Sequence, residues 1–380
     1  MEERIRLSLA HMGGKELGFI QEAFESNWVT SLGPNVTGFE KDLEEYLTSE
    51  KTGELHVVAL NSGTSAIHLG LLLLGVEQGD EVICQSFTFC ASANAAVYLG
   101  ARPVFVDSEP GSWNMDPVLL EEAICDRLKK TGKLPKAILP THMYGMPADI
   151  IAITEVALRY EIPVLEDAAE AIGSEFCGQK CGTFGRFGAL SFNGNKMITT
   201  SAGGALICHS EEDARKALYY ATQARDEALY YQHSQIGYNY RMSNICAGIG
   251  RGQMYVLKEH IARRRAIHTL YTEELKDRVG IHVMNNPDHR SQSNFWMTCI
   301  QVDPSLSLHT NMEIRTKLEV ANIESALLWK PMHLQPLYKN VPIYDHHLCA
   351  NLFATGLCLP SGPLLTDELL NKVLEVLSLD

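Results

Sequence analysis

The stretch VVALNSGTS at residues 57–65 joins a short apolar run to small polar residues that open a helical pattern. The run predicts a β-strand, and the residues after it predict a turn into a helix that ends near Gly75. Six further apolar runs of similar length lie at residues 81–84, 103–107, 137–140, 163–167, 189–192 and 204–207. Because these runs mostly alternate with helical patterns, we expect an α/β fold whose mainly parallel, seven-stranded sheet has helices on both faces.

Two domains are expected in the chain, because its 380 residues exceed the usual size of a single hydrophobic core. The pattern becomes helical from Ala214 to Tyr271, and residues from about 272 onward resemble a smaller α/β unit ending in a helix at 367–377. We therefore predict a large domain over residues 1–260, whose N-terminal segment can also pack on the small domain. A small C-terminal α/β domain is predicted over residues 261–380.

The composition excludes several classes of protein. Hydrophobic residues make up 46% of the chain, and its net charge is −14. This hydrophobic content is too high for intrinsic disorder, and the acidic balance lacks the basic surface of a nucleic-acid binder. The most apolar stretch, residues 66–76, is about half as long as a membrane-spanning helix, and the first residues lack the apolar core of a signal peptide. We expect a cytoplasmic protein without nucleic-acid or membrane partners.

The ten cysteines stand at irregular spacings, which is typical of reduced thiols in a cytoplasmic protein. The closest pair, Cys177 and Cys181, has no second pair at a suitable distance to complete a zinc site. The adjacent residues His346 and His347 also lack companion ligands. We expect no metal site.

Residues directly after the strands are the first candidates for function, since ligands of open parallel sheets bind beyond the carboxyl ends of the strands. Ser62, Gly63 and Thr64 follow the first strand and open a helix. The free N–H groups and the positive end of a helix suit an anion such as a phosphate, and Gly63 lets the backbone approach it closely. The same residues would also serve as an ordinary helix N-cap, so the sequence leaves both interpretations open.

Asp167 and Lys196 follow two other strands of the predicted sheet. Alone, Asp167 could be a helix cap and Lys196 a solvated loop lysine. A buried carboxylate can instead hold the ring nitrogen of pyridoxal 5′-phosphate (PLP) protonated, and a lysine in a cleft can act as a nucleophile. Because the anion site, the carboxylate and the lysine meet at one edge of the sheet, we interpret them together as a PLP site.

These residues belong to a series of motifs that resembles the DegT/DnrJ/EryC1/StrS family of PLP-dependent sugar aminotransferases. The motifs are NSGTSA at 61–66, SFTF at 86–89, EDAAE at 166–170, SFNGNK at 191–196 and GYNYRMS at 237–243. Further matching segments lie at residues 9–14, 33–36, 329–336 and 358–362, so the resemblance runs nearly from end to end. It implies the type I fold of PLP-dependent transferases, which is that of aspartate aminotransferase.

The resemblance also implies a role for each matching residue. Lys196 would bind the cofactor covalently, Asp167 would pair with its ring nitrogen, and Glu170, where the family often has Gln or His, would lie near its ring hydroxyl. Phe89 would stack on the ring. The phosphate would be held by Ser62, Gly63, Thr64, Ser191 and, from the neighbouring subunit of a homodimer, Asn239.

Four further residues are candidates for substrate binding: His142, Arg241, Trp329 and His333. His142 follows a strand, but a packed histidine fits the pattern equally well. Trp329 and His333 flank prolines in an apolar segment that could instead belong to the core or to a dimer interface. Arg241 could bind a substrate anion or form a salt bridge.

The motifs near both ends most resemble the subgroup that acts on 4-keto-6-deoxy nucleotide sugars, as in the UDP-N-acetylbacillosamine and perosamine pathways. We therefore expect transfer of an amino group from L-glutamate to a UDP-linked, N-acetylated 4-keto hexose, giving a 4-amino sugar for surface glycans. Alternatives are a GDP- or dTDP-linked or 3-keto sugar, or an aminocyclitol. A sugar 3-dehydratase is disfavoured because that branch replaces the lysine by histidine, whereas Lys196 is present. A PLP-binding regulator is disfavoured because no DNA-binding segment is recognisable.

Overall fold

The computed structural model describes residues 4–378. Its strands are β1 His56–Leu60, β2 Glu81–Gln85, β3 Arg102–Val106, β4 Ala137–Leu139, β5 Leu165–Asp167, β6 Glu175–Phe176, β7 Gln179–Lys180, β8 Phe187–Ser191, β9 Gly204–Cys208, β10 Ile281–Val283, β11 Ser291–Gln292, β12 Thr298–Val302, β13 Ala326–Leu327, β14 Ile343–Tyr344 and β15 Gly356–Leu359.

The α-helices lie before, between and after these strands. They are α1 Glu16–Glu25, α2 Pro34–Leu47, α3 Gly63–Leu73, α4 Cys90–Tyr98, α5 Pro117–Thr131, α6 Ile150–Arg159, α7 Glu211–Ala221, α8 Asn244–Met254, α9 Leu257–Leu275, α10 Asn311–Val320, α11 Leu348–Thr355 and α12 Asp367–Ser378. None of the helices within residues 4–378 is both long and apolar enough to cross a membrane.

The large sheet has the strand order β1-β9-β8-β5-β4-β2-β3-β14. Two ladders of four strands are joined where β4 and β5 run side by side, through the parallel bridges Ile138–Val164 and Thr141–Asp167. The antiparallel strand is β9, and the other strands of this sheet run parallel to one another. The carboxyl ends of β1, β2, β4, β5 and β8 therefore lie along one edge, where a ligand site is expected.

The expected fold class is confirmed, and all seven predicted strands are present within two residues of their predicted limits. The burial of these strands explains why apolar runs in the sequence predict them. Every residue of β9 is buried, as are four of the five residues of β2 and of β8, because helices cover both faces of the sheet. Strands covered on both faces carry continuous apolar runs rather than alternating ones.

The eighth strand of this sheet, β14, was not predicted. It has two residues and lies within the segment assigned to the small domain, yet it pairs in parallel with β3. The nearby residues Met332 and Tyr338 also pack into the core beneath the large sheet. The chain between about 332 and 344 thus returns to the large sheet, which a pattern of short apolar runs does not reveal.

A second, antiparallel sheet has the order β10-β12-β15-β13. Its apolar face packs on α9, α10 and α12 in a core that also includes Ile5. Ile5 pairs in parallel with Ile323, so the N-terminal segment contacts this smaller unit. The predicted boundary at residue 260 falls inside α9, a continuous helix of 19 residues.

Candidate active site

A cavity of about 340 Å³ opens at the carboxyl edge of the large sheet. Nine of the residues singled out in the sequence line it: Ser62, Gly63, Thr64, Phe89, Asp167, Glu170, Ser191, Lys196 and Trp329. They come from segments up to about 270 positions apart in the chain, and the parallel strands bring them together. Residues predicted at the ends of different strands thus lie around one cavity.

The predicted anion site lies at the start of α3. Ser62 is the N-cap residue, and its hydroxyl oxygen accepts a hydrogen bond from the backbone N–H of Ser65 at 3.0 Å. The backbone around it is tightly packed: a β-carbon on Gly63 would lie 2.9 Å from Ser191 Cβ, and one on Gly204 only 2.3 Å from the Ser62 carbonyl carbon. The N-cap and the predicted anion site are thus the same structure, a cradle that only glycine at 63 and 204 permits.

Asp167 ends β5 and is almost buried, with 5% of its surface exposed. Its Oδ1 accepts a hydrogen bond from the N–H of Ala169 at 3.1 Å, and its Oδ2 accepts one from the hydroxyl of Ser92 at 2.6 Å. Within residues 4–378, none of the ion pairs includes Asp167. A nearly buried carboxylate without a cation partner, facing a cavity, suits a ligand that brings a positive charge.

Lys196 lies in the loop after β8, and its side chain is 13% exposed. Its Nζ is 3.0 Å from Glu170 Oε1 and 4.4 Å from the centre of the Trp296 ring. Burial raises the pKa of the Glu170 carboxyl, and the Lys196 ammonium opposes part of this rise. The amine is thereby held at the floor of the cavity, between a carboxylate and an aromatic face.

Aromatic side chains form one wall of the cavity. Phe89 and Trp329 are in contact, with ring centres 5.2 Å apart, and Phe89 keeps 54% of its surface exposed. The backbone N–H of Trp329 donates to the hydroxyl of the buried Tyr144 at 2.8 Å, which fixes this wall to the core. Phe89 is thus an exposed ring beside the cavity, as a stacking residue must be.

His142 does not reach the cavity, which corrects its assignment as a substrate contact. Its side chain is fully buried and bonded to Glu166 Oε2 through Nε2 at 2.8 Å. The N–H of Ala148 points at Nδ1 from 3.1 Å, so the ring proton lies on Nε2. Because both ring nitrogens are bonded within the protein, His142 stabilises the strand ends rather than a ligand.

Arg241 and His333 also bond to protein groups outside this cavity. The guanidinium of Arg241 pairs with Glu40, one contact being 3.0 Å, and only 8% of its side chain is exposed. His333 Nδ1 is 2.7 Å from the hydroxyl of Ser86. The salt-bridge interpretation of Arg241 therefore describes this structure, and neither side chain lines the cavity.

Asn239 is exposed and lies outside the cavity of its own chain. Its backbone pairs with Thr222, and its carbonyl oxygen accepts a hydrogen bond from the side-chain amide of Asn61 at 3.2 Å. The side chain of Asn239 is thus available to a second copy of the protein. Its role in phosphate binding remains a prediction.

No cluster of three or more potential metal ligands is present in the part of the chain that the structure describes. The geometry instead offers an anion cradle, a buried carboxylate, a lysine amine and an aromatic wall around one cavity.

Comparison with known proteins decides the family. The model of the DegT/DnrJ/EryC1/StrS aminotransferase family matches residues 11–378. The chain belongs to this family. It is 46% identical to EpsN of Bacillus subtilis (strain 168), over 99% of this chain and 96% of that protein. It is 35% identical to the GDP-perosamine synthase of Caulobacter vibrioides, over 98% of this chain and 97% of the relative.

The solved structures agree. Spr1654 from Streptococcus pneumoniae in its PLP form has a TM-score of 0.88 and 25% identity, covering 98% of this chain and 97% of that one. The family, its fold and its PLP-dependent aminotransferase activity are therefore those that the motifs indicated.

The residues present fit PLP. The cradle at Ser62 and Gly63 would hold its phosphate, the carboxylate of Asp167 would face its ring nitrogen, and the amine of Lys196 would reach its aldehyde carbon. Each of these groups lines the same cavity, and within residues 4–378 Asp167 is in none of the ion pairs, so its carboxylate suits a protonated ring nitrogen.

The sequence did not single out Trp296, which forms the floor beneath Lys196, or Ser92, which donates to Asp167. Trp296 comes from the loop before β12, about 100 positions from Lys196, and its Nε1 donates to the carbonyl of Asn195 at 2.7 Å. Local patterns carry no information about such distant contacts. Ser92 lies only three residues after Phe89, and its place in the first turn of α4 made it identifiable in principle.

Proposed function

We propose that this enzyme transfers the amino group of L-glutamate to C4 of a 4-keto-6-deoxy nucleotide sugar, with a UDP-linked, N-acetylated hexose as the substrate. The observation that carries the proposal is the convergence of Lys196, Asp167 and the Ser62–Thr64 cradle on one cavity. Membership of a sugar aminotransferase family and the motifs near both chain ends support the sugar substrate. The product would be a 4-amino sugar for surface glycans.

Bound PLP supplies a carbon that carries the amino group and a ring that withdraws electrons from it. Lys196 would be the nucleophile that binds the cofactor, and its amine would also accept the proton taken from the α-carbon of glutamate. Glu170 holds this amine in place at 3.0 Å. Asp167 would keep the ring nitrogen charged, and Phe89 and Trp329 would form the aromatic wall beside the ring. Two half-reactions that share one site predict ping-pong kinetics.

A GDP-linked 4-keto sugar is the second candidate. It is favoured by the similarity to the GDP-perosamine synthase of Caulobacter vibrioides, 35% over 98% of this chain. A sugar 3-dehydratase is not favoured, because Lys196 stands where that reaction employs histidine.

A substrate panel tests the proposal. The purified enzyme is incubated with glutamate and with UDP-, GDP- and dTDP-linked 4-keto and 3-keto sugars, and the products are identified by mass. The proposal expects an amino sugar from the UDP-linked, N-acetylated 4-keto hexose at the highest kcat/KM, with Lys196→Ala as the inactive control. Turnover of a GDP-linked or 3-keto sugar in preference to it would overturn the substrate assignment.

We also propose that the enzyme is a homodimer in which Asn239 of each chain binds the phosphate in the site of the other. Exposed apolar side chains near Asn239 support a buried partner surface: Leu229, Tyr230, Tyr231 and Ile236, each at least 68% exposed in the single chain. Apolar groups so exposed on one surface usually mark a protein contact.

Mixing two inactive variants tests the shared site. A dimer of one Lys196→Ala chain and one Asn239→Ala chain contains one site with both defects and one site with neither. Unfolding and refolding the two variants together should therefore restore activity that neither has alone. Hybrid dimers that form but remain inactive would contradict a site shared between subunits.

A further inference from the structure

The side chain of Ser92 lies behind the cavity, in the first turn of α4, and is 1% exposed. Its hydroxyl donates to Oδ2 of Asp167 at 2.6 Å. Ser92 does not line the cavity, so it cannot contact a ligand there directly. Ser92 Oγ also lies 3.3 Å from the carbonyl oxygen of Phe89, but its shortest hydrogen bond to a residue that lines the cavity is the one to Asp167.

Two more hydroxyls extend this contact into a chain. Thr88 Oγ1 is 3.0 Å from Ser92 Oγ, and Thr141 Oγ1 is 3.1 Å from Thr88 Oγ1. A hydroxyl has a single proton to donate, and an ionised carboxylate only accepts. Since Ser92 gives its proton to Asp167, it accepts from Thr88, which in turn accepts from Thr141. All three dipoles therefore point towards the Asp167 carboxylate.

The direction of these successive hydrogen bonds has a chemical consequence. A carboxylate and a ring nitrogen that face each other share one proton. A hydroxyl that donates to the carboxylate stabilises its charged form, which leaves the proton on the nitrogen. In a buried setting this contribution is large, because little water is present to replace it.

We propose that Ser92 is a positioning residue that keeps Asp167 ionised and correctly oriented, so that the ring nitrogen of bound PLP stays protonated. The proposal rests on the role proposed for Asp167. Without the Ser92 hydroxyl, Oδ2 of Asp167 loses a donor at 2.6 Å, and the proton moves towards the carboxylate. A ring without this charge withdraws fewer electrons from the reacting carbon.

The test measures the protonation of the ring nitrogen directly. Holoenzyme is prepared with PLP labelled with ¹⁵N in the ring, and the ¹⁵N chemical shift is recorded for the wild type, Ser92→Ala and Ser92→Thr. Ser361→Ala is the matched control, because it removes another buried serine hydroxyl, which donates to the carbonyl oxygen of Leu359 and does not line the cavity. Ser92→Cys retains a weak donor and serves in the same test if Ser92→Ala does not fold.

The proposal expects a protonated shift in the wild type, Ser92→Thr and Ser361→Ala, and a move towards the unprotonated shift in Ser92→Ala, with Ser92→Cys between them. It also expects kcat to fall on the order of tenfold in Ser92→Ala, the scale of one charge-assisted hydrogen bond, with the KM for glutamate little changed. A protonated shift in both wild type and Ser92→Ala would overturn this proposal and leave Asp167 its role. An unprotonated shift in the wild type would overturn the role of Asp167 itself.

Discussion

Replacing Glu166 with Gln tests whether the two adjacent carboxylates of β5 serve different purposes. Oε1 of Glu166 accepts from the N–H groups of Phe184 and Gly185 at 2.6 and 2.7 Å. Its Oε2 accepts from the N–H of Gly182 and from Nε2 of His142, both at 2.8 Å. A glutamine in either orientation turns its NH₂ group towards two of these donors. Each unsatisfied buried donor costs about 1–3 kcal/mol, so we expect a loss of about 2–6 kcal/mol in the free energy of unfolding.

Urea denaturation of the cofactor-free enzyme, followed by far-UV circular dichroism, measures this loss. Asp167→Asn is the matched comparison one residue away, because it also converts a nearly buried carboxylate into an amide. We expect Asp167→Asn to lose most of its transamination with a much smaller change in the urea midpoint, since Asp167 has only two bonded donors. If Glu166→Gln unfolds at the wild-type urea concentration, the four hydrogen bonds to Glu166 do not carry the stability that we assign to them.

Two further predictions concern Gly204, which packs against the cradle, and His68 in the middle of α3. Gly204→Ala places a β-carbon 2.3 Å from the Ser62 carbonyl carbon, so the dissociation constant of PLP should rise on the order of tenfold or more. Fluorescence titration measures this constant. Gly18→Ala is the control that should leave it unchanged, because a β-carbon at Gly18 meets nothing within 4 Å. Burial lowers the pKa of His68 from 6.5 to about 4. As the pH falls, the unfolded chain therefore binds this proton at a higher pH than the folded protein does. The contribution of neutral His68 to the free energy of unfolding is full well above pH 6.5 and should decrease by about 2 kcal/mol by pH 5. Urea midpoints at pH 8 and pH 5 should differ less in His68→Phe than in the wild type, and an unchanged difference would show that His68 does not cause this loss.

The fold was predictable because its strands are covered on both faces. Each of the seven main strands appears in the sequence as a continuous apolar run, and the residues after the runs at 57–60 and 163–167 face the cavity. β14 was not predictable in the same way. Its two residues form a strand because they pair with β3, more than 230 positions earlier in the sequence. A strand of two residues also has no periodicity to detect.

The lining of the cavity was predictable where a residue lies at, or shortly after, the end of a strand. Ser62, Asp167 and Lys196 are of this kind. His142 follows a strand in the same way, but it is fully buried and bonds to Glu166. Which of two neighbouring polar side chains faces the cavity and which faces the core is decided by packing on distant elements, and one sequence does not contain that information.

The central claim is that Lys196 is the amine that binds PLP and carries amino transfer. Borohydride reduction of the holoenzyme, followed by peptide mapping by mass spectrometry, tests it most directly. We predict a pyridoxyl phosphate mass increment on the peptide that contains Lys196, and no fixed cofactor after L-glutamate alone has first converted the enzyme to its amine form. A cofactor mass on a different lysine, or none on Lys196, would contradict the account.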